Sequence, residues 1–80
     1  MSKLKERRMK AGMSQSQLAA KSGIKIRVLQ HYEQQTKSID RARIDKIIRL
    51  SMALQCKISD ILEDKEYIDL YLQYHQKMEE

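Results

Sequence analysis

Four polar side chains share one face of a predicted helix over residues 26–34: Arg27, Gln30, His31 and Gln34. Their guanidinium, carboxamide and imidazole groups form hydrogen bonds, so this face offers directed donors and acceptors. Leu29 and Tyr32 fall on the opposite side, where they would pack against the rest of the protein. The pattern therefore predicts an amphipathic helix with a polar outer surface.

Sequence signals of an enzyme or a metal site do not occur in this chain. His31 and His75 are far apart and have no partner at metal-ligand spacing, and Cys56 is the only cysteine. A lone thiol excludes an intramolecular disulfide and suits a reducing compartment. We therefore expect a protein that is not an enzyme and that needs neither metal nor cofactor. Because no apolar run exceeds three residues, we also expect a cytoplasmic protein without a membrane span or signal peptide.

The charge of the chain is divided unequally between its two ends. Residues 1–57 contain fourteen Lys and Arg against four acidic residues, a net charge of +10, whereas residues 58–80 carry a net charge of −5. A basic body is typical of a protein that binds a polyanion, and an acidic tail is unsuited to face the same polyanion. A merely solubilising surface is the competing interpretation, and charge alone does not decide between the two.

The composition favours an all-α fold. The sequence has no Trp, Phe or Pro, and its apolar residues are mainly Ile, Leu, Ala and Met, which suit packed helices better than sheets. Three short helices are predicted in the first half of the chain. The first covers residues 3–11, the second begins at a capping box of Ser14 and Gln17 and stops at Gly23, and the third covers residues 26–34.

A fourth helix is predicted over residues 41–55, with Asp40 as its N-cap. Its apolar stripe follows helical spacing and consists of Ile44, Ile47, Ile48, Ser51 and Leu54. The stretch ISDILE predicts a short fifth helix. We assign residues 1–63 to one helical domain and residues 64–80 to a separate C-terminal helix.

Ala19 and Gly23 determine how the second and third helices can meet. Two short helices joined by a tight turn cross at roughly 90 to 120° only where the contact residues are small and the turn tolerates unusual backbone geometry. Ala19 supplies the small contact residue, and Gly23 supplies the turn, since glycine adopts left-handed conformations without a steric penalty. The outer face of the third helix then remains free.

The stretch MSQSQLAAKSGIKIRVLQHYE resembles the helix-turn-helix of phage repressor and Cro proteins, the XRE-type regulators, and the similarity covers about residues 4–62. Arg8, Gly12 and the segment MALQCKISDIL also match that family. The resemblance implies an all-α, five-helix lambda-repressor-like DNA-binding domain, here followed by an additional C-terminal helix. The sequence lacks the family's usual apolar residue, Ser or Thr cap and glycine at three positions: Ser22, Lys25 and Gln35. These departures indicate a less rigid recognition helix.

By resemblance, the helix over residues 26–34 enters the major groove of double-stranded DNA and reads base edges there. Arg27 is expected to make a bidentate contact to guanine, His31 to hydrogen-bond a base edge, and Ile26 to pack on a thymine methyl group. Gln30 is a weaker base-contacting candidate. For each of these residues, an ordinary exposed helix position is the alternative.

A second set of residues is expected to contact phosphates, which position a protein on DNA without reading its sequence. Gln15, at the start of the second helix, matches the family's backbone-contacting glutamine. The further candidates are Lys10, Gln34, Lys37, Arg41 and Arg43, and for the charged residues a solvated side chain is the alternative.

Three other residues that match family positions are expected to serve the scaffold. Arg8 and Glu33 match a pair that lies beneath the family's recognition helix, so the resemblance implies an ion pair that fixes the tilt of this helix; two separate surface charges are the alternative. Cys56 stands where the family has an apolar core residue, which implies a buried thiol.

The C-terminal segment carries a broad apolar surface. On a helical wheel its apolar residues spread over roughly 200°, which is much wider than docking on one partner requires. A 4, 3, 4 spacing connects Tyr67, Tyr71, Tyr74 and Met78, and it favours a dimerisation helix over a helix that packs only on its own domain. We therefore expect a homodimeric repressor that reads an inverted-repeat operator. The competing interpretation is an interaction module, of the antitoxin or anti-repressor type, whose tail grips a protein partner.

Overall fold

The structure is a computed structural model that describes residues 1–79, and this part of the chain contains helices and turns without a strand. The five α-helices are α1 (Lys3–Lys10), α2 (Gln15–Ser22), α3 (Ile26–Glu33), α4 (Ile44–Leu54) and α5 (Lys65–Glu79). Two single 3₁₀ turns cover Ile39–Arg41 and Ile58–Asp60. The prediction of an all-α fold is confirmed, while Glu80, which the predicted C-terminal helix includes, lies outside the described residues.

The first two helices begin at serines whose side chains cap them. The hydroxyl of Ser2 accepts a hydrogen bond from Lys5 N at 3.0 Å and caps α1. The predicted capping box is confirmed, because Ser14 Oγ accepts from Gln17 N at 3.1 Å and Gln17 Oε1 accepts from Ser14 N at 2.8 Å. These bonds satisfy N–H groups that a helix start leaves without a partner.

The predicted start of the fourth helix is wrong. Asp40 lies in the first 3₁₀ turn, and α4 begins at Ile44 after the extended residue Ala42. The carboxylate of Asp40 instead accepts hydrogen bonds from Glu63 N at 2.8 Å and Asp64 N at 3.0 Å. Asp40 therefore stabilises the chain that leads into α5, where a helix start favours a nearby negative charge.

Three of the five residues in the predicted apolar stripe of α4 are buried, and the other two are exposed. Ile47, Ser51 and Leu54 are buried, whereas Ile44 is 63% exposed and Ile48 is 41% exposed. The buried face includes Leu50 and Ala53, and α2 is the helix that packs most extensively against α4. The predicted fifth helix of the domain is likewise reduced to the single 3₁₀ turn Ile58–Asp60.

One apolar core joins the first four helices and the segment after the second 3₁₀ turn. Its fully buried members are Leu4, Leu18, Leu29, Leu50 and Ile61. The start of α5 adds Tyr67 and Ile68, which are partly buried against this core. With 15 residues α5 is about 22 Å long, and its later turns extend from the body of a molecule that measures 38 × 23 × 21 Å.

Candidate nucleic-acid interface

α2 and α3 meet through the turn at Gly23. Gly23 has a left-handed φ of +73°, and its N–H donates to Ala19 O at 3.0 Å, which ends α2. Leu18 and Leu29 are both fully buried, and Ala19 packs partly buried against the core. A Cβ atom at position 23 would lie 3.2 Å from Arg49 Nη1. The left-handed turn is therefore what favours glycine here, since the nearest atom to an added Cβ is only the end of the flexible Arg49 side chain.

The polar face of α3 points to solvent, with five of the sequence-predicted contact residues on it. Ile26, the first residue of the helix, is 40% exposed, and Arg27 beside it is exposed. Gln30 and His31 follow one turn later and are half-buried, and the C-cap Gln34 is exposed. The four candidate base-contacting residues and one candidate phosphate contact therefore share one surface.

A bidentate ion pair lies beneath α3. Arg8 Nε donates to Glu33 Oε2 at 2.7 Å, and Arg8 Nη2 donates to Glu33 Oε1 at 3.1 Å. The side chains are 11% and 2% exposed, respectively. The third guanidinium nitrogen, Arg8 Nη1, donates to Met13 O at 2.8 Å, so the same arginine also ties down the loop before α2. Such a paired geometry is directional as well as strong.

Two glutamines extend this ion pair towards the surface. Gln15 Nε2 donates to Glu33 Oε1 at 3.1 Å, and Gln30 Nε2 donates to Gln15 Oε1 at 3.2 Å. A connected series of hydrogen bonds thus runs from Arg8 in α1 to Gln30 on the outer part of α3. Gln15, which the sequence predicts as a phosphate contact, is half-buried and joins α2 to α3 through this network.

The ring of His31 is oriented by Thr36 in the following loop. His31 Nδ1 lies 2.8 Å from Thr36 Oγ1, and the hydroxyl of Thr36 donates to His31 O at 3.2 Å. A hydroxyl has one proton, so Thr36 either donates to His31 O and accepts from a protonated Nδ1, or donates to an unprotonated Nδ1. In both arrangements of the neutral ring Nε2 is the nitrogen left to meet a base edge, as an acceptor in the first and as a donor in the second.

The three departures from the family pattern have different structural consequences. Ser22 is buried, and its hydroxyl donates to Ala19 O at 3.4 Å and accepts from Ile24 N at 3.3 Å. Gln35 adopts a left-handed φ of +61°, the conformation that makes glycine common there. Lys25 is the N-cap of α3, and within residues 1–79 its side chain makes no capping hydrogen bond.

The remaining candidate phosphate contacts lie at exposed positions outside α3. Lys10 ends α1, Lys37 lies in the loop after α3, Arg41 ends the first 3₁₀ turn, and Arg43 is the N-cap of α4. Arg43 forms an ion pair with Asp45 at 3.2 Å, with side chains 80% and 47% exposed. An exposed pair of this kind contributes little stability and leaves the guanidinium accessible.

Sequence reasoning missed a second basic cluster beside the start of α3. Lys25, Lys46 and Arg49 line a surface concavity of about 370 Å³ together with Gly23 and Asp45. The i, i+3 spacing of Lys46 and Arg49 places them on one side of α4 and was the available signal. Their proximity to Lys25 depends on how α4 packs against the α2–α3 turn, and no local pattern encodes that.

Cys56 is half-buried against the core. Burial raises the pKa of its thiol, Asp60 raises this pKa further, and Arg7 opposes the change. The thiol is therefore neutral and weakly nucleophilic at neutral pH.

The four predicted dimerisation residues divide into two pairs. Tyr67 and Tyr71 are half-buried, whereas Tyr74 is 61% exposed and Met78 is 68% exposed. An apolar groove of about 520 Å³ runs between α4 and α5, lined mainly by Ile44, Ile47, Ile58, Leu62, Tyr67, Leu70, Tyr71 and Tyr74.

Within the described residues, no helix combines the length and apolar character that crossing a membrane requires.

The family comparison agrees with this geometry. Residues 4–61 match a family model described as helix-turn-helix, and the chain belongs to this XRE-type, Cro/C1-like family of DNA-binding proteins. The matched range runs from the second residue of α1 through α4 and the second 3₁₀ turn, and it ends before α5. No curated protein and no solved structure matches the chain. The protein is thus a DNA-binding helix-turn-helix regulator with a C-terminal helix outside the matched region.

Proposed function

We propose that this protein binds double-stranded DNA sequence-specifically, with α3 in the major groove, and acts as a dimeric repressor. The observation that carries the proposal is the exposed polar face of α3, held from beneath by the buried pair of Arg8 and Glu33. A helix that reads bases must present its side chains at a fixed tilt, and a bidentate buried pair supplies that constraint.

Arg27, His31 and Ile26 supply three different kinds of base contact. The exposed guanidinium of Arg27 suits the O6 and N7 acceptors of guanine. His31 presents Nε2, which suits an exocyclic amino group of adenine or cytosine when it is an acceptor and the N7 or O6 of guanine when it is a donor. Ile26 leaves an apolar side chain 40% exposed at the helix start, where a thymine methyl group would cover it.

Exposed basic side chains outside α3 suit contacts to the phosphates that border the groove. The acidic residues of this region are occupied elsewhere, since Glu33 pairs with Arg8 and Asp40 accepts from the chain before α5. Lys37 and Arg41 are therefore free to act as phosphate contacts that hold α3 in register without reading sequence.

A dimer follows from the small size of the reading surface. One module of this kind buries only about 600 to 1,000 Å² on DNA, which gives little operator selectivity. Two copies would read half-sites about 34 Å apart on an inverted repeat. We assign the second copy to the exposed apolar side of α5 and the groove next to it, because this surface is apolar and uncovered. A dimer bound in this way excludes other proteins from the operator, so repression is the expected output.

The test is selection of preferred sites from random duplex DNA, followed by binding measurements with Arg27→Ala and Lys37→Ala. Arg27→Ala should weaken binding to the selected site by about 1 to 3 kcal/mol and relax the preference at one base pair. Lys37→Ala should weaken binding to all sequences alike and lower the salt slope by about 1. If Arg27→Ala changes neither affinity nor preference, the fold serves as a scaffold and α5 becomes the binding element to study.

A further inference from the structure

We propose that Gln30 reads adenine and that Gln15 is the positioning residue that fixes the orientation of the Gln30 carboxamide. This inference rests on the proposed function, because it assigns one base to one position of α3. It also gives Gln30 and Gln15 larger roles in base recognition than the sequence alone assigns to them. Gln30 becomes a specificity-determining residue, and Gln15 becomes more than a phosphate contact.

The direction of every hydrogen bond in the network follows from the buried carboxylate. Glu33 can only accept, and it already accepts two bonds from Arg8. Gln15 must therefore turn its Nε2 towards Glu33 Oε1, at 3.1 Å, which leaves its Oε1 facing α3. That oxygen can be met only by a donor, so Gln30 must turn its own Nε2 towards it, at 3.2 Å.

The orientation of a carboxamide is normally ambiguous, because its oxygen and nitrogen have nearly the same shape. Here the ambiguity is removed twice. A flipped Gln15 would place Oε1 against Glu33 Oε1, and a flipped Gln30 would place Oε1 against Gln15 Oε1, so each flip sets two acceptors against each other. The buried charge of Glu33, whose side chain is 2% exposed, makes the first of these flips especially unfavourable.

The fixed orientation defines which base Gln30 can recognise. After one N–H has been donated to Gln15, Gln30 still has Oε1 as an acceptor and its second N–H as a donor. Adenine presents the complementary pair in the major groove, an N6 amino donor and an N7 acceptor. Guanine presents O6 in place of the amino group, so its oxygen would face the Gln30 oxygen. The network therefore selects adenine over guanine.

The experiment measures binding to the selected operator and to its three single-base-pair variants at each contacted position. The proteins are the full-length wild type, Gln30→Ala, Gln15→Met and Gln34→Met. The wild type should prefer adenine at one position by about 5- to 150-fold, and Gln30→Ala should lose that preference. Gln15→Met, which keeps the side-chain length but forms no hydrogen bond to Gln30, should reduce the preference at the same position and leave the other positions unchanged.

Gln34→Met is the matched control, because Gln34 is a glutamine on the same face of α3 but outside the network. It should lower affinity for all duplexes by one common factor and leave the adenine preference intact. The preference is a ratio measured within one variant, so partial unfolding of a variant cancels from it. Thermal unfolding of each variant by circular dichroism shows separately how much of the protein is folded.

A base analogue tests the orientation directly. Purine lacks the 6-amino group of adenine, so replacing the contacted adenine with purine should weaken wild-type binding by about 2- to 12-fold, the effect of one hydrogen bond. The same replacement should have no effect on Gln30→Ala and a smaller effect on Gln15→Met than on the wild type.

Three outcomes test the role of Gln30, the role of Gln15 and the proposed function separately. If Gln30→Ala alters no base preference, Gln30 does not read DNA and the inference is wrong. If Gln30→Ala abolishes the adenine preference while Gln15→Met retains it fully, the positioning role of Gln15 is wrong. If the wild type shows no preferred sequence at all, the proposed function itself fails.

Discussion

The apolar side chains on the inner face of α3 are buried, whereas several apolar side chains of α5 are exposed. In α3, Leu29 is fully buried and Tyr32 is 6% exposed, so the inner face of this helix is covered by its own domain. In α5, Leu70, Tyr74 and Met78 are 65%, 61% and 68% exposed. α3 thus has a fixed inner face and a free polar face, whereas α5 is fixed at one end and has a free apolar face.

The fixed end of α5 explains why the helix forms at all. Asp40 holds the backbone N–H groups of Glu63 and Asp64, and Tyr67 and Ile68 pack against the core. Beyond these residues the helix depends on itself, and isolated helices of about 12 to 15 residues are marginal in water. The comparison therefore indicates that α3 presents a polar surface, whereas the later turns of α5 present apolar side chains that its own domain leaves uncovered.

Removing the ion pair beneath α3 tests the first half of the comparison and should have the largest effect on stability. Arg8→Ala leaves the buried carboxylate of Glu33 without its partner, which should lower the free energy of unfolding by about 3 to 5 kcal/mol. Urea unfolding followed by circular dichroism measures the change. Because a domain of this size has only about 4 to 12 kcal/mol of stability in total, the measurement is made at low temperature with a stabilising osmolyte present.

Arg43→Ala is the matched control, since Arg43 also forms an ion pair but is 80% exposed. Its loss should change the free energy of unfolding by less than about 1 kcal/mol. Equal losses for the two variants would mean that the buried pair does not hold α3, and the contrast between the two helices would then lack its physical basis.

The sequence predicted the features of α2 and α3 that are determined within one helical turn. The capping box of Ser14 and Gln17 and the left-handed Gly23 are of this kind, because each depends on residues at most four positions apart. The contact of Asp40 with the start of α5 joins residues 23 and 24 positions apart, and the Gln15–Gln30 bond spans 15 positions. Such contacts depend on how whole helices cross, so the sequence predicted the α4 start wrongly and assigned Gln15 to a phosphate alone.

Charging the free apolar face of α5 tests the second half of the comparison. Tyr74→Asp places a carboxylate on the side of α5 that lines the groove next to α4. If this face meets a second copy, each dimer loses two apolar contacts worth about 1.5 kcal/mol or more apiece, so dimerisation should weaken by about 100-fold. Sedimentation equilibrium measures the dimer dissociation constant, and operator affinity should fall in parallel.

Gln76→Asp introduces the same charge on the opposite side of α5, about 200° around the helix axis from Tyr74, and should leave the dimer unchanged. A dimer that is equally stable in both variants would place the interface elsewhere. A wild-type protein that is monomeric at all concentrations, yet binds its operator, would remove the need for a partner on this face.

Substitutions at two buried serines should have the smallest effects. They test whether each buried hydroxyl of the domain has a hydrogen-bond partner. Ser22 and Ser51 are 6% and 5% exposed. The Ser22 hydroxyl both donates to Ala19 O and accepts from Ile24 N, so Ser22→Ala should cost about 0.5 to 1.5 kcal/mol. Among the described residues, the buried Ser51 Oγ has no hydrogen-bond partner. Ser51→Ala should therefore stabilise the protein by about 1 kcal/mol, because it removes the desolvation cost of that hydroxyl.

The opposite signs make the serine comparison informative even though each change is small. Both substitutions remove one oxygen from a buried helical position, so loss of volume affects them alike, and only hydrogen bonding differs. Thermal unfolding in the same buffer measures both. If Ser51→Ala is as destabilising as Ser22→Ala, the Ser51 hydroxyl has a bond in solution, and each buried side-chain nitrogen and oxygen of the described residues would then have a partner.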